Sequence, residues 1–368
     1  MSKSCLLRRN SALAWFFCVC EIEAVGATDA CRFFFLGDKG ALGDGVPGVH
    51  SRRCSFALAC SLFGLFPLGV QVSYNTPTQS NGPPCAAVVF PDRRCTLKAL
   101  IPAAGMGTRF LPATKAQPKE MLLVVDRPVI QYVVEEGLAS GADEVVIVNS
   151  RDKKSIEKHF SPDPELVATL RARGKDAYAD EVERVGNLNV SYVYQDEPLG
   201  LGHAIHCAAE KTADEPFFVL LGDVIVPDNN ICPRMLEVSR AHGGASVIAV
   251  LPVPDEQVHR FGIIDGAPVE GEDGVWKVNS LVEKPALEDA PSNLSVFGRY
   301  LLSARVMELL ADAKPTVGGE IQLTDALDAV LAEEEMYAVV ISDEDGFDTG
   351  TVETWLDTNN KLYARKNG

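Results

Sequence analysis

Short apolar runs alternate with amphipathic segments along the chain from residue 97 onward. The apolar runs predict buried strands at residues 97–102, 144–149 and 217–221, and alternating residues predict a strand at 190–194. Apolar residues at helical spacing predict helices at residues 128–140, 153–160, 202–210, 305–310 and 321–335. Strands that alternate with helices form parallel sheets covered on both faces. We therefore expect an α/β fold with a Rossmann-like, mostly parallel mixed sheet flanked by helices.

Residues 1–95 differ in composition from the rest of the chain. They hold eight of the ten cysteines, and no helical or strand periodicity is sustained through them. The apolar stretch at 13–20 follows two arginines, as in a signal peptide, but it is too short to span a bilayer. We expect 1–95 to be an atypical leader, either disordered or preceding the true start, and 96–368 to form the folded domain. A targeting or membrane-associating leader and a small folded domain are the alternatives.

Charge and cysteine content exclude several classes of partner. The chain has a formal net charge of −17, and residues 96–368 hold 25 basic and 45 acidic residues. A surface this acidic repels phosphate backbones, so nucleic acid is not an expected partner. The cysteines form no CxxC pair with matching histidines, which disfavours a zinc site, and their scarcity after residue 95 is typical of the cytosol. No membrane partner is expected.

A glycine-rich loop follows the first predicted strand, and the backbone N–H groups of such a loop can bind phosphate oxygens. A dinucleotide-binding loop is excluded, because Phe110 stands where the third glycine belongs and Pro112 and Pro118 interrupt any following helix. A Walker loop is excluded as well, because the loop has no Gly-Lys-Ser/Thr sequence. The candidate nucleotide-binding residues of this loop are Ala103, Ala104, Gly105, Gly107 and Thr108.

The same loop supplies two cations, Arg109 and, ten residues later, Lys119. An arginine fork and a lysine point charge directed at one triphosphate neutralise the charge that builds up during phosphoryl transfer. We therefore predict that both residues are catalytic. A glycine turn with solvated cations is the simpler interpretation of a bare GxG, but it does not account for the longer string at 105–122.

That string, GMGTRFLPATKAQPKEML at 105–122, resembles the signature of bacterial UTP–glucose-1-phosphate uridylyltransferases, which are sugar nucleotidylyltransferases. The resemblance extends over residues 98–362. It implies a fold of the nucleotide-diphospho-sugar transferase type, with a smaller sugar-binding, C-terminal portion. It also implies that UTP and glucose 1-phosphate react to give UDP-glucose and pyrophosphate, with Mg²⁺ as cofactor. A cytoplasmic location and a homodimer or homotetramer are further implications.

Residues 195–204 resemble the family's base-recognition loop. The Gln195 amide offers a donor and an acceptor, which match the imide edge of uracil, and Gly200 lets the backbone approach the base closely. Glu120 favours uridine by resemblance. His203 is predicted to pack on a helix face and not to act as a catalyst.

Asp223 follows a buried strand, at the edge where open α/β sheets bind their ligands. Mg²⁺ takes one or two carboxylates together with phosphate oxygens and water, so Asp223 is a candidate metal ligand. Many members of the family carry a second acid at the next position, where this chain has Val224. By resemblance, the second metal carboxylate is Asp348. A loop aspartate that binds its own backbone is the alternative for both residues.

Two further segments resemble the family's sugar-phosphate motifs. A carboxylate such as Glu283 can accept two hydroxyl hydrogen bonds from a hexose. Lys284 beside it can hold the phosphate of the sugar and is also predicted to be catalytic. Gly262 leaves room for the pyranose ring, and the backbone at Val296 is expected to contact the sugar. Residues 319–325 are interpreted as the start of a helix that closes the pocket.

Two other functions are compatible with the same motifs. The first is another hexose-1-phosphate nucleotidylyltransferase that uses dTTP or a different sugar, since one methyl group on thymine gives little discrimination. The second is a non-catalytic nucleotide-sugar sensor. Loss of Arg109 or of a metal aspartate would mark such a sensor, and this chain retains all of them.

Overall fold

The computed structural model describes residues 96–212, 214–316 and 319–368, together with a few short strands nearer the amino terminus. By its internal contacts the chain divides into two units, Met1–Arg94 and Cys95–Gly368. Each unit is described by itself below.

The first unit is described only at short strands, which pair in antiparallel fashion. Three of them form one sheet and two form another: Lys3–Cys5, Cys18–Cys20 and Phe33–Phe35, then Val72–Ser73 and Ala87–Val88. The prediction that residues 1–95 are a disordered leader or a misassigned start otherwise falls outside the described residues and stays a prediction.

The second unit contains the predicted alternation of strands and helices. Its strands, within the described residues, are Lys98–Pro102 (β1), Leu123–Val124 (β2), Arg127–Pro128 (β3), Glu144–Asn149 (β4), Val190–Tyr194 (β5), Phe217–Leu220 (β6), Val224–Ile225 (β7), Ser246–Pro252 (β8), Gly262–Pro268 (β9), Val275–Glu283 (β10), Leu294–Leu302 (β11), Met336–Val340 (β12) and Phe347–Asp348 (β13).

Nine of these described strands form one mixed sheet, in the order β5-β4-β1-β6-β11-β8-β12-β10-β9. Parallel pairing joins β5, β4, β1 and β6, and it also joins β8 to β12. The remaining neighbours are antiparallel, so the predicted mixed α/β sheet is confirmed. In the parallel part, the carboxyl ends of the strands meet at one edge, where the glycine-rich loop follows β1 and Gln195 follows β5.

Most helices of the described residues lie between strands along the chain, and the last one follows β13. They are Val129–Ala139 (α1), Lys154–His159 (α2), Pro164–Ala172 (α3), Asp176–Gly186 (α4), Leu201–His206 (α5), Ala209–Thr212 (α6), Ile231–Ala241 (α7), Ala304–Asp312 (α8), Leu323–Leu331 (α9) and Val352–Asn367 (α10). Thr351 and Thr354 form a reciprocal capping box at the start of α10, which satisfies N–H groups that the helix itself leaves unbonded. In the part of the chain described here, no helix has the length and apolarity that crossing a bilayer requires.

Successive residues of the central strands alternate between two apolar cores, because neighbouring side chains of a strand point to opposite faces. Ile101 and Phe218 belong to the core that contains α1 and α7. Leu100 and Phe217 belong to the core that contains α5, α8 and α9. All four side chains are fully buried, and each such burial contributes about 1.5–3 kcal/mol. The strands that lead into the site are thus held by apolar packing on both faces.

The observed helices differ from the predicted ones in several places. The segment predicted at 202–210 is two helices, α5 and α6, separated by a turn. The helix predicted at 321–335 is the shorter α9, which begins after Ile321; the Ile321 N–H donates to the Leu199 carbonyl, and its carbonyl accepts from the Gly202 N–H on α5. Helices α3, α4, α7 and α10 are absent from the sequence prediction. Helix α3 buries none of its side chains.

Candidate active site

The glycine-rich loop leaves β1 in an ordered conformation. The Ala103 N–H donates to the Val148 carbonyl at 2.8 Å, which ties the start of the loop to β4. Gly107 has φ +64°, a left-handed conformation that favours glycine, and its carbonyl accepts from Thr114 Oγ1 at 2.8 Å. A Cβ at Gly107 would lie 3.1 Å from the Thr114 methyl group, so the loop also leaves little room there.

Four of the five predicted nucleotide-binding positions of this loop are accessible, whereas Ala103 is buried and its N–H and carbonyl are both hydrogen-bonded within the fold. Gly105, Thr108 and Arg109 are exposed, and Ala104 and Gly107 are half-buried. A Cβ at Gly105 would meet no atom within 4 Å, so the space beside this glycine is open. A phosphate can therefore approach the backbone of the loop directly.

Lys153 is a site residue that the sequence interpretation missed. Its ammonium donates to the Ala103 carbonyl at 2.6 Å and to Glu120 Oε2 at 2.9 Å. Burial raises the pKa of the Glu120 carboxyl above its ordinary value despite this ion pair, and burial lowers the pKa of Lys153. The predicted nucleotide-binding glutamate is thus held inside the fold by a lysine that also fixes the start of the loop. Lys153 stands at the start of the predicted helix 153–160, and neither its type nor its spacing predicts this role.

Lys119 forms an ion pair with Asp223, in which Nζ lies 2.7 Å from Oδ2 and both side chains are mostly buried. Burial works against the charge on Lys119, but Asp223 and Glu120 outweigh it and raise the pKa of the ammonium. Burial also opposes ionisation of Asp223, but Lys119 outweighs it and lowers the pKa of this carboxyl. Both groups are therefore charged at neutral pH, and a cation of the loop is held against the carboxylate that follows β6.

The two predicted metal carboxylates meet because β7, directly after Asp223, pairs with β13, which ends at Asp348. The Asp223 carbonyl accepts from Thr349 N at 2.7 Å and from Thr349 Oγ1 at 2.8 Å, which secures this pairing. A Cβ at Gly350 would lie 2.9 Å from Asp348 Oδ1 and 3.4 Å from Asp223 Oδ2. The same position is 3.6 Å from Arg109 Nη1. The predicted arginine and both predicted metal carboxylates thus surround one point.

This pair of carboxylates fits a magnesium ion. Burial, with a further contribution from Asp223, raises the pKa of Asp348 although its Oδ1 accepts from the Gly350 N–H at 2.8 Å. A divalent cation would relieve the repulsion between the two carboxylates. Among the described residues, no group of three or more His, Cys, Asp or Glu side chains is arranged to hold a metal. Mg²⁺ often takes one or two carboxylates and completes its shell with water and substrate phosphates, which is the arrangement available here.

Gln195 follows β5 and is anchored by its own backbone, whose N–H donates to the Asn149 carbonyl at 2.9 Å. Its side-chain Nε2 lies 3.0 Å from the Gly200 carbonyl oxygen and 3.0 Å from His203 Nδ1. The prediction that His203 only packs on its helix is therefore incomplete, because the ring contacts the predicted base-recognition residue directly.

Gly200 has φ +102°, and a Cβ there would lie 2.7 Å from the Ile321 carbonyl oxygen. The Ile321 N–H donates to the Leu199 carbonyl at 2.7 Å, and the Gly202 N–H donates to the Ile321 carbonyl at 2.9 Å. These contacts explain why glycine is needed at position 200, and its close approach to a base stays a prediction. Ile321, two residues before α9, thus holds residues 199–202 in place.

A second cluster forms around Gly262, which lies opposite Glu283 on the paired strands β9 and β10. A Cβ at Gly262 would lie 3.2 Å from Glu283 Oε2 and 3.6 Å from Val296 Cγ2. Thr324 on α9 joins the cluster, because its hydroxyl donates to Glu283 Oε2 at 2.7 Å. Three residues predicted for the sugar site are therefore brought together. Thr324 is a fourth member, which the sequence interpretation placed in a helix without chemistry.

Lys284 has φ +47°, a left-handed conformation that is uncommon for a residue with a side chain. Its N–H donates to the Phe261 carbonyl at 3.0 Å, which keeps this conformation beside Gly262. Its ammonium lies 3.0 Å from Glu283 Oε1, and the side chain is 57% exposed. Because exposed ion pairs stabilise a fold very little, this ammonium can exchange Glu283 for a phosphate group without loss of the fold.

Residues 98–365 match the sequence profile of the nucleotidyl transferase family. A UTP–glucose-1-phosphate uridylyltransferase of Bacillus subtilis strain 168 is 46% identical over 248 residues, which are 67% of this chain and 82% of that protein. A UTP–glucose-1-phosphate uridylyltransferase of Streptococcus pneumoniae serotype 4 is 45% identical over 248 residues, which are 66% of this chain and 82% of that protein.

Solved structures of UDP-glucose pyrophosphorylases are similar to this chain in fold and sequence. A UDP-glucose pyrophosphorylase complexed with UDP-glucose has a TM-score of 0.64 and 36% identity, covering 73% of this chain and 99% of its own. The UTP-bound UGPase from Acinetobacter baumannii has a TM-score of 0.66 and 38% identity, covering 73% of this chain and 93% of its own.

Proposed function

Since the chain belongs to the nucleotidyl transferase family, we propose that it transfers the uridylyl group of UTP to glucose 1-phosphate, forming UDP-glucose and releasing pyrophosphate. The observation that carries this proposal is the convergence of Arg109, Asp223 and Asp348 around Gly350, next to the glycine-rich loop. The choice of nucleotide and sugar is supported by the names of the relatives and by the UTP and UDP-glucose complexes of similar fold.

The reaction is a direct in-line displacement at the α-phosphorus of UTP. A phosphate oxygen of glucose 1-phosphate forms the new bond to that phosphorus. The bond from the α-phosphorus to the oxygen it shares with the β-phosphate breaks, and pyrophosphate leaves with the electron pair. No proton has to move, because the sugar phosphate is already an anion at neutral pH. The protein therefore has to align two polyanions and offset their charge.

On the nucleotide side, the exposed backbone of the glycine-rich loop binds the triphosphate of UTP. Arg109 stabilises the charge that develops on the leaving pyrophosphate, and Lys119 assists it. The ion pair of Lys119 with Asp223, at 2.7 Å, keeps this ammonium beside the glycine-rich loop. The Gln195 Oε1 accepts from the N3–H of uracil, since its Nε2 already donates to the Gly200 carbonyl.

On the sugar side, Glu283 accepts hydrogen bonds from hexose hydroxyls, and the Thr324 hydroxyl at 2.7 Å keeps its carboxylate in place. Gly262 leaves room for the pyranose ring, since a side chain there would lie 3.2 Å from Glu283 Oε2. Lys284 releases Glu283 and binds the attacking phosphate, which brings the nucleophilic oxygen into line. The backbone at Val296 completes the contact with the sugar.

Asp223 and Asp348 are the residues that would hold Mg²⁺. When bound, the ion supplies positive charge that neutralises phosphate oxygens and orients both substrates. The chain's own contribution is to keep Asp223 ionised through Lys119 and to bring Asp348 to it through the pairing of β7 with β13.

The proposal is tested by pyrophosphate release from the purified protein with Mg²⁺, glucose 1-phosphate and each of UTP, dTTP, ATP, CTP and GTP in parallel. We expect UTP to exceed every other nucleotide in kcat/KM. Equal use of dTTP would widen the function to hexose-1-phosphate nucleotidyl transfer. Tight binding of UDP-glucose without turnover, in a chain that begins at residue 96 as well as in the full chain, would contradict catalysis.

From the family resemblance we also propose a cytoplasmic location and assembly as a homodimer or homotetramer. Light scattering on the eluate of a size-exclusion column measures the assembly directly, and a monomeric mass would contradict that part.

A further inference from the structure

A buried arginine lies behind the turn that carries Asp223. This arginine, Arg299 on β11, is 0% exposed, so it does not touch a substrate, and no step of the proposed reaction uses it. Its Nη1 donates to the Leu221 carbonyl at 3.2 Å, and its Nη2 donates to the Val224 carbonyl at 2.8 Å. One guanidinium thus binds the residues on both sides of the Gly222–Asp223 pair.

The turn at residues 221–224 is closed by a long bond of its own, in which the Val224 N–H donates to the Leu221 carbonyl at 3.3 Å. Gly222 passes close to β1, since a Cβ there would lie 3.3 Å from the Pro102 carbonyl oxygen. The guanidinium of Arg299 is a planar, rigid fork, so its two bonds fix the ends of the turn relative to each other. The direction of the side chain between those ends is fixed with them.

Glu136 on α1 keeps this guanidinium in place. Arg299 Nε and Nη2 donate to its two carboxylate oxygens at 2.8 and 2.7 Å, and Glu136 is 0% exposed. Burial opposes the charge on Arg299, but Glu136 outweighs it and raises the pKa of the guanidinium, with a smaller contribution from Asp223. A buried ion pair gives a fold little net stability compared with apolar side chains of similar volume. Stability alone is therefore a weak account of this pair.

We propose that Arg299 is a positioning residue for the divalent-cation site: it fixes the turn so that the Asp223 carboxylate points toward Asp348. The inference rests on the proposed function, in which both carboxylates hold Mg²⁺. This ion demands near-ideal octahedral geometry, so a small rotation of one ligand weakens its binding. Loss of Arg299 removes at least one hydrogen bond to a charged group, which corresponds to about tenfold or more in the population of the ligating conformation.

The test measures cation binding directly. Mn²⁺ suits the same octahedral oxygen sites as Mg²⁺. It is titrated into the full chain at saturating UDP-glucose, and the free ion is measured by electron paramagnetic resonance. The first variant combines Arg299→Met with Glu136→Leu, because removing two opposite buried charges together leaves neither unpaired. The second is Arg299→Lys, which keeps a charge opposite Glu136 but cannot bind both carbonyls and both carboxylate oxygens.

The matched control is Met235→Ala. Met235 lies on α7, fully buried in the core that contains α1 and α7, and its truncation lowers stability without removing a hydrogen bond from the turn. Asp223→Asn gives the reference value for a site that has lost the ligand itself. Circular dichroism selects the variants that are folded at the assay temperature.

We expect the dissociation constant for Mn²⁺ to rise about tenfold or more in the double variant, to rise by a smaller factor in Arg299→Lys, and to match the wild type in Met235→Ala. A wild-type constant in both folded Arg299 variants, or an equal rise in Met235→Ala, overturns the role of Arg299 while the proposed function stands. A wild-type protein that does not turn over UTP overturns the proposed function. If Mn²⁺ binding still weakens only in the Arg299 variants, the positioning role stands without it.

Discussion

Replacing Glu136 by glutamine breaks a fully buried ion pair next to the active site. Arg299 Nε and Nη2 donate to the two carboxylate oxygens of Glu136 at 2.8 and 2.7 Å, and the side chains are 0% and 1% exposed. The same guanidinium donates to the carbonyls of Leu221 at 3.2 Å and Val224 at 2.8 Å, which flank Asp223. The pair thus connects α1 to the loop that carries Asp223, a proposed metal ligand.

Glutamine keeps the shape of Glu136 but leaves the Arg299 guanidinium without a counter-charge. Removing one partner of a buried pair lowers the free energy of unfolding by about 3–5 kcal/mol, because the remaining charge stays buried and uncompensated. In a domain of this size, each kcal/mol moves Tm by about 2 °C. We therefore expect Glu136→Gln to lower Tm by about 6–10 °C.

Differential scanning calorimetry at one scan rate measures this change. The matched control is Glu335→Gln, which breaks an ion pair with Lys277 whose side chains are 59% and 48% exposed. Exposed pairs contribute about 0–1 kcal/mol, so the control should shift Tm by less than about 2 °C. A Glu136→Gln protein whose Tm equals that of the control would refute the argument from burial.

Three further predictions concern the reaction. Arg109→Ala should lower turnover by at least about 10³-fold with the fold intact. The control is Arg173→Ala, at an exposed arginine distant in sequence. Initial rates of Arg109→Ala within tenfold of wild type would contradict the role of Arg109. Asp223→Asn should abolish Mg²⁺-dependent turnover in a magnesium titration, and unchanged activity would place the metal elsewhere. Glu283→Gln should raise KM for glucose 1-phosphate by about tenfold or more at saturating UTP, and an unchanged KM would remove this residue from the sugar site.

The parallel part of the fold was predictable because its signals are local. Three strands of this part are short apolar runs and β5 alternates, and Gly141, with φ +92°, follows the end of α1. The loop after β1 was recognised from residue types at fixed spacing, and both of its predicted cations lie at the site: Lys119 on Asp223, and Arg109 beside Gly350.

No local sequence pattern predicts that Asp223 and Asp348 lie next to each other. It depends on β7 and β13, which are two residues long each and carry no periodicity to recognise. Asp348 was named from family resemblance alone. Once strand pairing brings these segments together, the glycine at position 350 leaves the space between the carboxylates open.

Sequence interpretation also missed the supporting roles of three residues: Thr324, Lys153 and His203. Each is an ordinary residue in or beside a predicted helix, and each acts by holding another side chain: Thr324 holds Glu283, Lys153 holds Glu120, and His203 holds Gln195. Such supporting contacts depend on which elements pack together, so residue type and spacing do not reveal them.

The fate of labelled phosphate tests the central claim most directly. The purified protein is incubated with Mg²⁺, glucose 1-phosphate and UTP labelled at either the α- or the γ-phosphorus, and the products are separated. The account predicts that the α label appears in UDP-glucose and the γ label in pyrophosphate, in equal amounts. Appearance of the γ label in orthophosphate or in a sugar phosphate would contradict attack at the α-phosphorus and with it the proposed reaction.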